Sequence, residues 1–182
     1  MSNSLLGTAA PSFDEPVEML DACHGRIKAQ LATLRRLADW LPEYGVDQSA
    51  QEAAVAVVRY FTVAAPHHHA DEEEDLFPAL LLAAEAAAEK PEVEALLTRI
   101  LADHQRMDSA REQMLNILQK ISAGEEVPLP VDLVESFAQL YERHIDMETA
   151  ELLPLARRLL SPAVTERIGR SMAERRGATF SA

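Results

Sequence analysis

Cysteine is nearly missing from this chain, with Cys23 the only one in 182 residues. No internal disulfide can form, and a reducing cytoplasm is the expected setting. Aromatic residues make up 5% and glycine 6 positions. That leaves little of the aromatic material that lines a pleated sheet, so helices are expected. No stretch approaches the roughly 18 uninterrupted apolar residues of a transmembrane helix. Residues 1–13 show no basic start followed by an apolar core, so a signal peptide is not expected. Positive charge is short as well. With 17 Lys and Arg against 30 Asp and Glu, the net charge is −13. Such a balance repels phosphate backbones and anionic membranes, which sets both aside as partners.

What is present is a chain rich in alanine and leucine, 48% hydrophobic, and long enough for one domain with a sizeable core. Residues 1–15 are weakly patterned and end at Pro16; they read as an arm lying on the surface. From Val17 to Leu41, apolar residues recur at three- and four-residue steps, which predicts one continuous helical face. Pro42, Gly45 and Asp47 then supply a turn. A second helix is predicted from near Gln48, kinked or interrupted at Pro66 and bent or ended at Pro78. A third follows Pro91 to about Ser122, and a fourth spans roughly Val131 to Leu153, with Pro154 bending or ending it. Ser161 and Pro162 mark the N-cap and first position of a short last helix to about Arg176. Four long helices joined by short turns predict an all-α, up-and-down four-helix bundle over residues 16–160. Residues 161–182 add the short C-terminal helix and a tail.

Two stretches of this pattern repeat each other. His68-His69-Ala70-Asp71-Glu72 leads to Leu76-Phe77-Pro78, and His144-Ile145-Asp146-Met147-Glu148 leads to Leu152-Leu153-Pro154. In both, the glutamate stands six residues and the histidine ten residues before the proline. A lone histidine on the preceding helix, His24 or His104, comes before each. Residues four apart on a helix share a face one turn apart, so each His-x-x-x-Glu pair points the same way. The pattern suits a pair of metal ions, with each imidazole on one ion and each carboxylate spanning both. Any one of these histidines alone reads as an ordinary polar residue. Burying four imidazoles and two carboxylates together, by contrast, is costly without a cation.

At these residues, over about Val17 to Leu160, the chain resembles the hemerythrin-like, or HHE cation-binding, family. The resemblance implies a four-helix bundle around a non-haem di-iron centre, two Fe ions bridged by two carboxylates and an oxo or hydroxo group. It places His24, His68, Glu72, His104, His144 and Glu148 at the ligand positions. Zinc or manganese could substitute, because His/Glu sites accept several first-row ions. Oxygen-carrying hemerythrins have His-x-x-x-His on the third helix, whereas here Asp108 stands four residues after His104. With roughly six positions per ion, four histidines, two bridging carboxylates and one bridging oxygen leave about two open. A fifth, non-bridging ligand would leave about one. Candidates for it are Asp108, His69 and Glu73, the last two read first as outer support or solvent-facing. Tyr60 and Tyr141 are close enough in sequence to ligand histidines to donate a hydrogen bond, and are read first as core. Cys23 reads as a small buried residue. The acidic run Asp71, Glu73, Glu74 and Asp75 reads as a solvated face that also lowers the potential where a cation enters.

The resemblance implies a cytoplasmic protein that binds or senses O2, NO, peroxide or iron itself, with any redox partner unidentified. The alternative is a di-iron redox enzyme or a factor that repairs iron–sulfur centres under nitrosative stress. Such repair proteins carry an additional cysteine-bearing module ahead of the bundle, and here about fifteen residues precede it. A third reading is a storage or structural bundle holding zinc or manganese.

Overall fold

The computed structural model describes residues 11–180, and these are all-helical, with no strand among them. The predicted arm falls mostly on residues 1–10, which lie outside the described residues. Five continuous helical rods are formed among the described residues. The first is α1 (Pro16–Tyr44). The second, over 48–86, joins α2 (Gln48–Arg59), π1 (Tyr60–Ala64), α3 (Ala65–Ala70), π2 (Asp71–Leu76) and α4 (Phe77–Ala86). The third is α5 (Lys90–Ser122). The fourth, over 131–159, joins α6 (Val131–Met147), π3 (Glu148–Leu152) and α7 (Leu153–Leu159), and the fifth is α8 (Pro162–Arg175). Helix α1 packs against α2 and α6, and α5 packs against the same two, so the first four rods enclose a shared interior.

Local chemistry sets the rod ends. Asp47 caps the second rod, its carboxylate accepting from the Ala50 N–H at 2.8 Å, a contact worth about 1 kcal/mol. The first rod runs one turn further than its apolar pattern, to Tyr44, because Pro42 sits in the last turn, where its fixed φ is already helical.

The interior prolines neither end nor break the rods. Pro66, Pro78 and Pro154 each follow a π turn, in which the residue just before the proline donates five residues back. Ala65 bonds to the Tyr60 carbonyl, Phe77 to that of Glu72 and Leu153 to that of Glu148. A proline ring clashes with the carbonyl four residues earlier, and the wider turn relieves that clash while keeping the chain helical. The two motifs therefore repeat in backbone geometry as well as in sequence, with a π turn opening at or next to each glutamate.

The core is divided. One apolar cluster is built on Ile27, Leu31, Phe61, Met107, Leu118, Phe137 and Tyr141, and a second on Leu20, Leu76, Leu80, Ile100, Leu152 and Met172. Along each of the first four rods the chain passes from one cluster to the other. At each crossing stands a histidine or a glutamate: His24 between Leu20 and Ile27, and His104 between Ile100 and Met107. His68 with Glu72 falls between Ala65 and Leu76, and Glu148 between Ile145 and Leu152. A polar layer thus crosses the interior at mid-length.

The fifth rod packs against α1 and π2 and lends Ile168 and Met172 to the second cluster. Its Gly169 is required by close approach, since a Cβ there would overlap the Phe13 carbonyl oxygen of the incoming segment. Arg175 and Arg176 at its end both bond the carboxylate of Asp71, which is fully buried.

Candidate metal centre

The six residues singled out by the repeat meet in the polar layer. His24, His68, His104 and His144 are at most 3% exposed, and Glu72 and Glu148 are fully buried. One ligand atom each from His24, His68, Glu72 and Glu148 lies within 4.8 Å of the others, and the same holds for Glu72, His104, His144 and Glu148. The two groups share both carboxylates. His24 Nε2 is 3.0 Å from Glu148 Oε2, and His144 Nε2 is 3.0 Å from Glu148 Oε1. Glu72 presents Oε1 to His68 and Oε2 to His104, each at 3.5 Å.

These approaches are close without being well-formed hydrogen bonds. All four carboxylate oxygens of the glutamates, and Nε2 of His24 and His68, are buried with no hydrogen-bond partner among the described residues. His104 Nε2 and His144 Nε2 face each other at 3.2 Å. Lone pairs therefore converge where nothing satisfies them. Burying each carboxylate costs several kcal/mol, more than a buried leucine returns at about 1.5–3 kcal/mol. Cations between the groups would remove that cost, and imidazole with carboxylate is a donor set that divalent first-row ions accept. The residues fit a metal pair.

The electrostatics point the same way. Burial and the adjacent Glu148 push the Glu72 carboxyl well above the usual range. Burial also pushes Glu148 up, but the imidazoles of His104, His144 and His24 together outweigh it and hold its carboxyl low. Burial pulls His68 down to about 3 and His69 down to about 2, which keeps both rings neutral with lone pairs free. For His104 burial acts downward and is outweighed by Glu148 and Glu73, so its pKa is raised.

Two residues orient the rings. His104 Nδ1 donates to Glu73 Oε1 at 2.6 Å, and His24 Nδ1 is hydrogen-bonded to Thr149 Oγ1 at 3.2 Å. An Nδ1 that donates leaves Nε2 bare and aimed inward. Thr149 occupies in the second motif the place Glu73 occupies in the first, and each supports the lone histidine of the opposite hairpin. Sequence reading missed Thr149, whose only signal was that equivalence.

The remaining candidates divide. His69 is buried beside His104, and Glu73 reaches the centre through His104. Asp108 is exposed and bonded to Arg111 at 3.1 Å, away from the cluster. Tyr141 lies wholly in the apolar core, edge-on to Phe61 and tilted against Phe137. Tyr60 is half-buried beside Arg26, and burial pushes its hydroxyl up to about 12. Cys23 is buried, with Arg26 Nη2 at 2.8 Å from its sulfur. The acidic run is not simply a solvated face. Asp71 is buried against Arg175 and Arg176, and Glu74 and Asp75 also pair with Arg175.

Among the described residues no helix is long and apolar enough to cross a membrane. The chain is 30% identical over 165 residues to an uncharacterized protein of Haemophilus influenzae, covering 91% of this chain and 92% of that one. The hemerythrin HHE cation-binding domain matches residues 15–156, a span that holds all six clustered residues. A buried His/Glu layer that could hold metal, carried on helical rods, is thus joined to a match over most of the chain: the protein belongs to the hemerythrin HHE cation-binding family.

Proposed function

We propose that the chain holds two iron ions side by side in the polar layer and binds or senses a small ligand there. His24 and His68 serve one ion, His104 and His144 the other, and Glu72 and Glu148 span both. The observation that carries this reading is the convergence of six buried side chains within 4.8 Å in two overlapping groups, with the ligand atoms of His24, His68, Glu72 and Glu148 lacking any hydrogen-bond partner among the described residues. Residues 16–160 form the metal-holding unit, an up-and-down four-helix bundle. Residues 1–15 are an arm, and residues 161–182 are an added helix and tail. The protein works in the cytoplasm.

When bound, an iron pair supplies electrons to a diatomic or peroxide ligand. The chain's own part is to fix the ligand atoms, to keep His68 neutral by burial, and to hold water out with an apolar cluster on either side of the layer. O2, NO and peroxide are the ligands of suitable size and chemistry, and iron availability itself is a second signal such a centre reports.

Metal analysis and the optical spectrum of protein from unsupplemented cells test the reading. Two irons per chain and a near-ultraviolet band in air that bleaches reversibly with dithionite are expected. Zinc-filled protein would show no such band and would overturn the iron assignment. Repeated turnover of peroxide or NO would instead identify a redox enzyme.

A further inference from the structure

The two halves of the centre are unequal. Beside the His104 half stands a third imidazole, His69, 9% exposed. Its ring lies parallel to that of His104, with centroids 4.0 Å apart and an interplanar angle of 10°. The His144 ring is 6.2 Å away, at 72°. One nitrogen from each of His69, His104 and His144 lies within 4.8 Å of the other two. Ligand nitrogens about 2.0–2.1 Å from one ion span up to roughly 4.2 Å, so small side-chain shifts bring all three onto it.

The neighbouring residues add a second argument. His68 and His69 are adjacent on α3, and adjacent helix residues point about 100° apart. One inward-facing ion would use only one of them. Here both are buried, and each joins a different group: His68 with His24, His69 with His104 and His144. The second motif offers no counterpart, since the residue at the matching place is Ile145, buried in the apolar core.

We propose that His69 is the third imidazole of the ion held by His104 and His144, so that the two ions are chemically unlike. This rests on the two-ion reading above. The His104 ion then has three imidazoles and both shared carboxylates. The His24 ion would have two imidazoles and the same carboxylates. The fifth imidazole then comes from the second rod, while Asp108 on the third rod is exposed and bonded to Arg111.

Cobalt(II) titration of the metal-free protein tests this, following d–d absorption and competition with a chromophoric chelator. Wild type should take up two Co(II) per chain. His69→Phe keeps a ring stacked on His104 but removes the nitrogens. It should weaken one of the two sites at least about tenfold, the lower end of what even outer ligand changes cost, and leave the other site unchanged. His69→Ala should show the same loss and recover affinity when free imidazole is added. Unchanged affinity and spectrum in His69→Phe, or a loss in His69→Ala that imidazole does not restore, would overturn the assignment of His69 alone. Wild type that binds fewer than two Co(II) would overturn the two-ion reading along with it.

Discussion

The His24–His68 half of the centre and the His104–His144 half come from a repeated motif, yet their surroundings differ. His24 leans on a neutral hydroxyl, Thr149 Oγ1, at 3.2 Å, whereas His104 leans on a carboxylate, Glu73 Oε1, at 2.6 Å. A carboxylate acceptor makes an imidazole a more basic, stronger ligand than a hydroxyl does. His69 crowds the second half and has no equivalent in the first. Duplication of a motif therefore sets where the histidines and glutamates stand, while the residues between the repeated positions decide how alike the two halves become.

The largest effect should come from what the halves share. Glu72→Ala or Glu148→Ala removes a carboxylate from both groups, and metal analysis should find far fewer than two ions per chain. Full occupancy in both variants would overturn the bridging role. Next come changes confined to one half: His24→Ala and His144→Ala should each leave about one ion per chain, and loss of both ions from either would mean that the halves do not fill separately. A smaller effect should follow at the supporting residues. Glu73→Gln should weaken the His104 ion and Thr149→Val the His24 ion, each by about ten- to a hundredfold, with Glu73→Gln the larger because it removes a charged acceptor.

The smallest effect concerns pH in the metal-free protein. His68 falls from 6.5 to about 3 on folding, so between those values the unfolded chain binds a proton that the folded one does not. Stability should therefore drop as pH falls through that window. His104 has a raised pKa; its contribution is present at low pH and is lost as pH rises through the raised value. Imidazole NMR titration separates the two: the His68 signals should not move between about pH 6.5 and 4, while those of His104 should titrate above the usual histidine range.

Much of this centre was legible in the sequence because helical geometry is periodic. Four-residue spacing alone puts His68 with Glu72 and His144 with Glu148 on common faces, and apolar steps of three and four gave the rods. The rest depended on contacts between segments distant in the chain. Nothing local says that Asp71, inside an acidic run, is buried by Arg175 and Arg176 more than a hundred residues later. Nor does local sequence say that Thr149 meets His24. The prolines misled for a different reason. Pro78 and Pro154 oppose an α-helix, but a single π turn absorbs each of them, and that turn is visible only in the backbone.

The most direct test is an anomalous difference map, at the iron edge, from crystals of protein purified without added metal. Two peaks about 3.5–4 Å apart, lying between Glu72 and Glu148 with His24 and His68 on one side and His104 and His144 on the other, are the predicted result. A map with no peak in the polar layer, or with one peak that contacts neither glutamate, would contradict it.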